Sequence, residues 1–230
     1  MIPTLIDSPD PVRLVLETLV DKLNSTRAAV PHHVVLTGGT HGMEITRGLA
    51  QVAAAVPSEI WAHTHLWWGD ERFVESTSRD RNDFEIKDVL GNYFIEANVH
   101  RVPAADLVST VYRSADIYSQ EMRNFETDGM PLKFTVVILG VGPDGHVASL
   151  FRGRPELNST EIALPVLNSP KPPPTRVTLS FTTLNNSHCT LLLAGGAIKK
   201  DALESIMSSQ GTVNATPARG IAAAELYALA

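Results

Sequence analysis

The stretch FTVVILGVGPDGHVASLF, residues 134–151, decides how the rest of the chain is read. Its first seven residues form an apolar run broken only by Thr135, the pattern of a central parallel strand covered on both faces. Gly140, Gly142 and Gly145 then spell G-x-G-x-x-G, the spacing of a dinucleotide-binding loop. That reading needs an acidic residue about 20 residues further on, at a strand end, to hold a ribose. The chain there reads ELNSTEIALPVLNSP, and neither Glu156 nor Glu161 closes an apolar strand. Pro143 also stiffens the loop that would wrap a pyrophosphate. With no nucleotide cofactor expected, a glycine loop carrying Asp144 and His146 remains. The sequence predicts a helix start here, with Asp144 as N-cap and His146 in a first turn whose dipole disfavours imidazolium. A neutral imidazole accepts a proton from water. A structural role for the lone histidine stays equally open at this level.

Outward from this run, short β-branched segments alternate with helical patterns, the signature of an α/β fold with a mostly parallel sheet. Residues 11–29 place Val12, Val15, Leu16, Leu19, Val20 and Leu23 on one helical face. HHVVLTGG predicts a strand, MEITRGLAQVAA a helix and IWAHTHLWWGD a second strand. RNDFEIKDVLGNYF predicts a helix ending near Gly91. ADLVSTVYRSADIYSQEMRNF predicts a longer one, with Leu107, Val111, Ala115 and Tyr118 in register. TRVTLSF and HCTLLLAG predict strands, and AIKKDALESIM a helix. The proline cluster NSPKPPPT, 168–175, is neither helix nor central strand. Strand patterns resume directly after it, so it reads as a surface connection, and residues 1–230 as one α/β domain.

Composition narrows the function classes. The 230 residues are 43% hydrophobic, enough for a large core, and carry 19 basic against 25 acidic side chains. The formal net charge of −6 without a long basic run argues against a nucleic-acid partner, which needs a clustered positive face. A single cysteine, Cys189, excludes an internal disulfide and a cysteine-rich zinc site. No apolar run approaches the roughly 20 residues that span a bilayer. The N-terminal stretch MIPTLIDSPDPVRLV lacks a basic segment followed by an apolar one. A cytoplasmic protein without membrane attachment is therefore expected, acting as a monomer or a weak homo-oligomer. His32/His33 and His63/His65 lack a nearby third ligand, so no metal is expected.

Three strands end in polar loops, at 34–42, 66–72 and 136–146. Ligands in open parallel sheets bind beyond the carboxyl ends of strands, so the three loops predict one shared pocket. Gly38, Gly39 and Thr40 precede a helix and suit an anion; alternatively they form only a tight turn. No Gly-Lys-Ser/Thr follows, which excludes a Walker loop. Asp70, Glu71 and Arg72 follow two tryptophans, and the planar fork of Arg72 binds phosphate or carboxylate oxygens bidentately.

TGGT, WWGDERFV with RN at 81–82, GVGPDGHVASLF, PPPTRVTLSF and the Gly196-x-x-Lys199 step together resemble the 6-phosphogluconolactonase branch of the glucosamine-6-phosphate isomerase/6-phosphogluconolactonase family. The resemblance covers about residues 30 to 207. It differs from the deaminase branch at Ser149-Leu150-Phe151 and at Gly69-Asp70-Glu71-Arg72. His41-Gly42-Met43 stands where many members carry a proline. The resemblance implies a modified Rossmann-like sheet flanked by helices, and hydrolysis of 6-phospho-D-glucono-1,5-lactone in the oxidative pentose phosphate pathway. It also implies His146 as the base, with Asp144 positioning it or capping its helix. Arg72, or backbone N–H groups near Gly142–Gly145, would stabilise the oxyanion. Gly38, Gly39, Thr40, Arg72 and Lys199 would hold the phosphate. Asn82 would brace the GDER loop or meet sugar hydroxyls, and Arg176 would reach the substrate or pin the proline segment. An amino-sugar-phosphate deaminase and a non-catalytic sugar-phosphate binder are the alternatives.

Overall fold

The structure is a computed structural model that describes residues 2–27, 30–90, 95, 98–194, 200–222 and 224–228. After a short strand β1 (Thr4–Asp7), Asp10 caps helix α1 (Pro11–Asn24), accepting from the Arg13 N–H at 3.0 Å, and Pro11 fixes the first helical φ. The chain continues through β2 (His32–Leu36), α2 (Gly39–Val52), the short α3 (Ser58–Ala62), β3 (Thr64–Trp68) and β4 (Asp70–Arg72). Helices α4 (Ile86–Leu90) and α5 (Val111–Arg123) precede β5 (Val136–Gly140). Then come β6 (Ala163–Val166), β7 (Arg176–Leu179), α6 (Phe181–Leu184), β8 (Thr190–Ala194), α7 (Lys200–Met207) and β9 (Ala224–Ala228). No described helix is long and apolar enough to cross a membrane.

Six strands form an all-parallel sheet in the order β1-β9-β8-β5-β2-β3. Residue alternation along its strands divides the apolar side chains between two cores. Val34, Leu36, Val136, Ile138, Leu191 and Leu193 face α1, α2, α3 and α4, meeting Val15, Leu19, Ile45, Leu49 and Trp61. Val35, Val137, Leu139, Leu192 and Leu226 face the other way, onto Tyr118 and Met122 of α5 and Ile206 of α7. A second, antiparallel sheet, β4-β7-β6, adds Val177, Leu179 and Ala163 to that core. Each such buried aliphatic side chain contributes roughly 1.5–3 kcal/mol.

Several elements differ from the sequence reading. The predicted strand at 60–70 divides: Ile60 and Trp61 belong to α3, and β3 ends before Gly69. α1 stops at Asn24. Residues 82–85 form turns ahead of α4, and Gly91 lies outside the described residues. Leu107 is not in α5 but 69% exposed, because Thr110 caps that helix by accepting from the Arg113 N–H at 3.1 Å. The edge strand β1, its neighbour β9 and the strands β4 and β6 of the small sheet had no prediction, whereas β7 falls within the predicted strand TRVTLSF.

At the amino ends of β2 and β3, away from the glycine loops, three imidazoles stack. The rings of His33 and His65 lie 4.8 Å apart, those of His65 and His100 5.1 Å, and Trp67 covers His100 at 3.8 Å. Trp67 Nε1–H donates to His33 Nδ1 at 3.1 Å, which requires a neutral His33. Glu121 contacts His100 at 2.5 Å. Burial, then repulsion from neighbouring imidazoles, pushes His33 down to about 3 and His65 down to about 4. The unfolded chain protonates both near pH 6.5, whereas the folded chain resists protonation until about those lower values. The unfolded state therefore binds more protons in this window, and stability falls as pH falls through it. The Tm is expected to drop steadily on acidification from about pH 7 to about pH 5. A flat Tm in differential scanning calorimetry over that range contradicts this account.

Candidate active site

β2 and β5 are neighbours in the sheet, yet the chain leaves β2 toward β3 on one side and β5 toward β8 on the other. The diverging connections open a crevice at the strand carboxyl ends, where α/β sheets bind ligands. A cavity of about 620 Å³ lies there, lined by Thr37, Gly38, Gly39, Thr40, His41, Asp70, Arg72, the 140–143 loop, His146, Ala148, Lys171, Pro172 and Arg176. The three predicted loops thus meet. Thr37 Oγ1 ties two of them by accepting from the Gly140 N–H at 3.0 Å.

The loop after β5 departs from expectation: residues 141–150 run through turns and isolated bridges, with no helix. Gly145 has φ +76° and Ala148 φ +49°, values that interrupt helical geometry, and Pro143 lacks an N–H. Asp144 is therefore not an N-cap. Its Oδ1 instead meets His146 Nδ1 at 2.5 Å. Burial raises the Asp144 carboxyl, but the hydrogen bond and charge of His146, helped by Lys171, outweigh this and bring it to about 2. A permanently ionised carboxylate only accepts, so Nδ1 carries a proton, and the neutral ring is held as the tautomer whose lone pair is on Nε2. Gly142 permits this arrangement, since a Cβ there would lie 1.9 Å from His146 Cε1.

The GDER segment is fixed by its acids. Glu71, buried, accepts from the N–H groups of Arg72 and Asn82 at 2.7 Å and of Asp83 at 3.0 Å. Its burial and the Asp83 charge push its carboxyl up, against the pull of Arg81. Asn82 Nδ2 donates to the Asp70 carbonyl at 2.8 Å, and its amide occupies the space beside Gly38 where a Cβ would sit. Asn82 is thus a brace between two loops and does not line the cavity. Asp70 accepts from Ser149 Oγ at 2.6 Å, joining the glycine loop to β4.

Cations converge on the cavity. The antiparallel register of β4 and β7 sets Arg72 directly opposite Arg176. Like charges facing one another destabilise a sheet, which points to a functional reason for the pair. Arg72 Nη1 donates to the Asp80 carbonyl at 2.6 Å, and its buried Nε has no partner among the described residues. Gly38 heads α2 without a side-chain cap, leaving first-turn N–H groups for an anion. Lys171, which the sequence reading passed over, places Nζ 3.4 Å from His146 Nδ1, 3.5 Å from Nε2 and 3.6 Å from Asp144 Oδ1. The only sequence signal for it was a lysine inside a proline cluster directly before a strand. Lys199 lies outside the described residues.

Two readings that the sequence left open are narrowed. The Gly142 N–H donates to the His146 carbonyl at 2.9 Å and the Gly145 N–H to the Gly142 carbonyl at 3.0 Å, so neither is free for an oxyanion. Arg176 lines the cavity, but its donors turn inward. Nε–H donates to the Pro173 carbonyl at 3.0 Å, and Nη2 to those of Lys171 at 3.0 Å and Pro172 at 3.2 Å. Nη1 is directed at Asp70 Oδ2 and Ser149 Oγ, at 3.5 and 3.4 Å. A guanidinium has five N–H donors, and all five have acceptors within the protein. The arrangement as a whole presents an imidazole held by a carboxylate beside cations and a helix N-terminus. It suits activation of water next to an anionic ligand.

The chain is similar to known proteins along most of its length. Residues 9–228 match the family model described as glucosamine-6-phosphate isomerases/6-phosphogluconolactonase. The 6-phosphogluconolactonase of Streptomyces coelicolor is 36% identical over 195 residues, which cover 81% of this chain and 74% of that one. The 6-phosphogluconolactonase of Rattus norvegicus is 41% identical over 178 residues, 76% of this chain and 68% of that one. Among solved structures, 6-phosphogluconolactonase from Thermotoga maritima superposes with a TM-score of 0.79 at 28% identity, covering 99% of this chain and 98% of that one.

Proposed function

Because this chain belongs to the glucosamine-6-phosphate isomerase/6-phosphogluconolactonase family, we propose that it hydrolyses 6-phospho-D-glucono-1,5-lactone to 6-phosphogluconate, with His146 as general base. The observation that carries the reading is the Asp144–His146 pair, with Asp144 on Nδ1 and His146 lining the cavity. Nε2 takes a proton from a water as its oxygen bonds to C1 of the lactone. Asp144 holds the ring's orientation and balances the imidazolium that forms. The carbonyl oxygen becomes an oxyanion, and the Lys171 ammonium, beside the imidazole, supplies the opposing charge. As the C1–ring oxygen bond breaks, Nε2–H returns the proton to the departing oxygen. Atoms balance: one water is consumed, and the neutral base is restored.

The phosphate sits over the first turn of α2, at Gly38, Gly39 and Thr40, with Arg72 alongside. The same reading takes the monomer as the active unit and residues 1–230 as one catalytic domain. The reaction belongs to the oxidative pentose phosphate pathway, in the cytoplasm. Freshly generated lactone, coupled to 6-phosphogluconate dehydrogenase, tests the reading: hydrolysis well above the spontaneous rate is expected. No acceleration sinks it, and ammonia release from glucosamine 6-phosphate moves the chain to the deaminase branch.

Arg72→Ala removes one charge-assisted contact to the phosphate, worth roughly 1.5–3 kcal/mol. The KM is expected to rise by about 10- to 100-fold, since about 1.4 kcal/mol corresponds to tenfold. Unchanged KM and kcat refute the assignment.

A further inference from the structure

Arg176 reads most simply as a substrate-binding residue: it lines the cavity and faces Arg72 across the sheet. Its hydrogen bonds argue otherwise. The residue is 3% exposed and its side chain has all five donors engaged within the protein. Three of those contacts go to consecutive carbonyls, of Lys171, Pro172 and Pro173. Proline lacks an N–H, so this segment has few backbone donors with which to anchor itself. Within it, the Ser169 N–H donates to the Pro174 carbonyl at 2.8 Å, closing a small loop whose outer arm carries Lys171. The guanidinium is held in turn by Asp70 and by Ser149, which donates to Asp70 at 2.6 Å. A continuous set of contacts therefore runs from β4 through Arg176 to the backbone of Lys171, and from Lys171 Nζ to the His146 ring.

We infer that Arg176 is a positioning residue: it fixes the proline strap so that the Lys171 ammonium stands at the His146 ring, and it does not bind substrate itself. This rests on the lactonase reading of the same site for its kinetic consequences, but its geometry does not. Lysine at position 176 keeps the charge and offers only three donors on a flexible stem, so it cannot hold three carbonyls and two side chains at once. The strap then loosens and Lys171 loses its place, whereas the phosphate contacts at α2 and Arg72 are untouched. A displacement near 1 Å at a reacting centre costs up to about 10²-fold in rate.

The test is a double-mutant cycle of Arg176→Lys with Lys171→Met, following kcat, KM and the Kd of 6-phosphogluconate. Arg176→Lys is expected to lower kcat by about 10- to 100-fold while Kd changes by less than about threefold. In the Lys171→Met background the same change is expected to have almost no further effect on kcat. Additive losses overturn the proposal, because they show Arg176 acting without Lys171; so does a Kd that weakens in step with kcat, the mark of direct substrate binding. If Arg176→Lys does not fold, Ser149→Ala removes one anchor of the guanidinium, and its loss in kcat must likewise vanish in the Lys171→Met background. A readout independent of turnover is the ¹⁵N spectrum of the His146 ring. Lys171→Met and Arg176→Lys are expected to shift it alike, and an unmoved signal in Arg176→Lys refutes the positioning role. Should the wild type fail to hydrolyse lactone, the functional reading falls, while the ring spectrum still decides the strap.

Discussion

Replacing His146 with alanine is expected to lower kcat for lactone hydrolysis by about 10²–10⁴-fold, the range for loss of a general base, while 6-phosphogluconate still binds. The separation of effects follows from the cavity's layout. The base lies on the loop after β5, whereas the phosphate groups lie on the turn after β2 and on β4. His146 is braced on one side by Asp144 at 2.5 Å and on another by the Phe151 ring, whose centroid is 4.7 Å away. Alanine removes the proton acceptor without touching Gly38–Thr40 or Arg72. Asp144→Asn is expected to cost less but to act in the same direction, because an amide can donate to Nδ1 and favour the tautomer with its proton on Nε2. Stopped-flow rates with fresh lactone and calorimetric product binding check both variants. An unchanged kcat in His146→Ala removes the base.

Gly142→Ala is expected to inactivate nearly as completely, through one methyl group. The added Cβ would lie 1.9 Å from Cε1 and 2.1 Å from Nδ1 of His146. No side chain tolerates such approaches, so the ring must swing away and give up its bond to Asp144. The rate is expected to fall by at least about 10²-fold, the scale for misplacing a reacting group. Overpacking of this kind costs roughly 1–3 kcal/mol of stability, which leaves a folded protein in which thermal unfolding and product binding can be measured. Full activity in a folded Gly142→Ala shows that the observed ring position is not the working one. The same geometry at Gly38, where a Cβ would meet Asn82 Oδ1 at 1.9 Å, links the anion-binding turn to the GDER loop.

Both expectations turn on the stretch that reads most ambiguously in sequence. Its glycines match a nucleotide signature, but no helix follows them, so the loop offers no helix N-terminus to a pyrophosphate. The sequence already argued against a nucleotide from the missing ribose acid. The same reasoning assigned a helix start, with Asp144 as its cap, and there it failed. A local pattern of Pro-Asp-Gly suits a helix entry and a string of turns equally. The choice was made by contacts from afar: the Gly145 carbonyl accepts from the Ala218 N–H at 2.8 Å, and the Ser149 N–H donates to Thr178 Oγ1 at 3.2 Å.

By itself, the sequence determined the parallel α/β sheet and the convergence of three polar loops at its carboxyl edge. Apolar runs at 34–36, 136–139 and 191–194 are local, and their burial on both faces is written in residue type alone. His146, Arg72 and the Gly38–Thr40 turn were legible for the same reason, each standing directly beyond a recognisable strand. Only the tertiary structure decided how Asp144 is used, that Asn82 braces the site from outside the cavity, that Arg176 turns its donors inward, and that Lys171 stands at His146. Lys171 follows His146 by 25 residues and Arg176 follows Asp70 by 106. Periodicity carries information over one element at a time. Contacts across such separations are set by strand order and by the antiparallel register of β4 with β7, which leave no repeating mark in the chain.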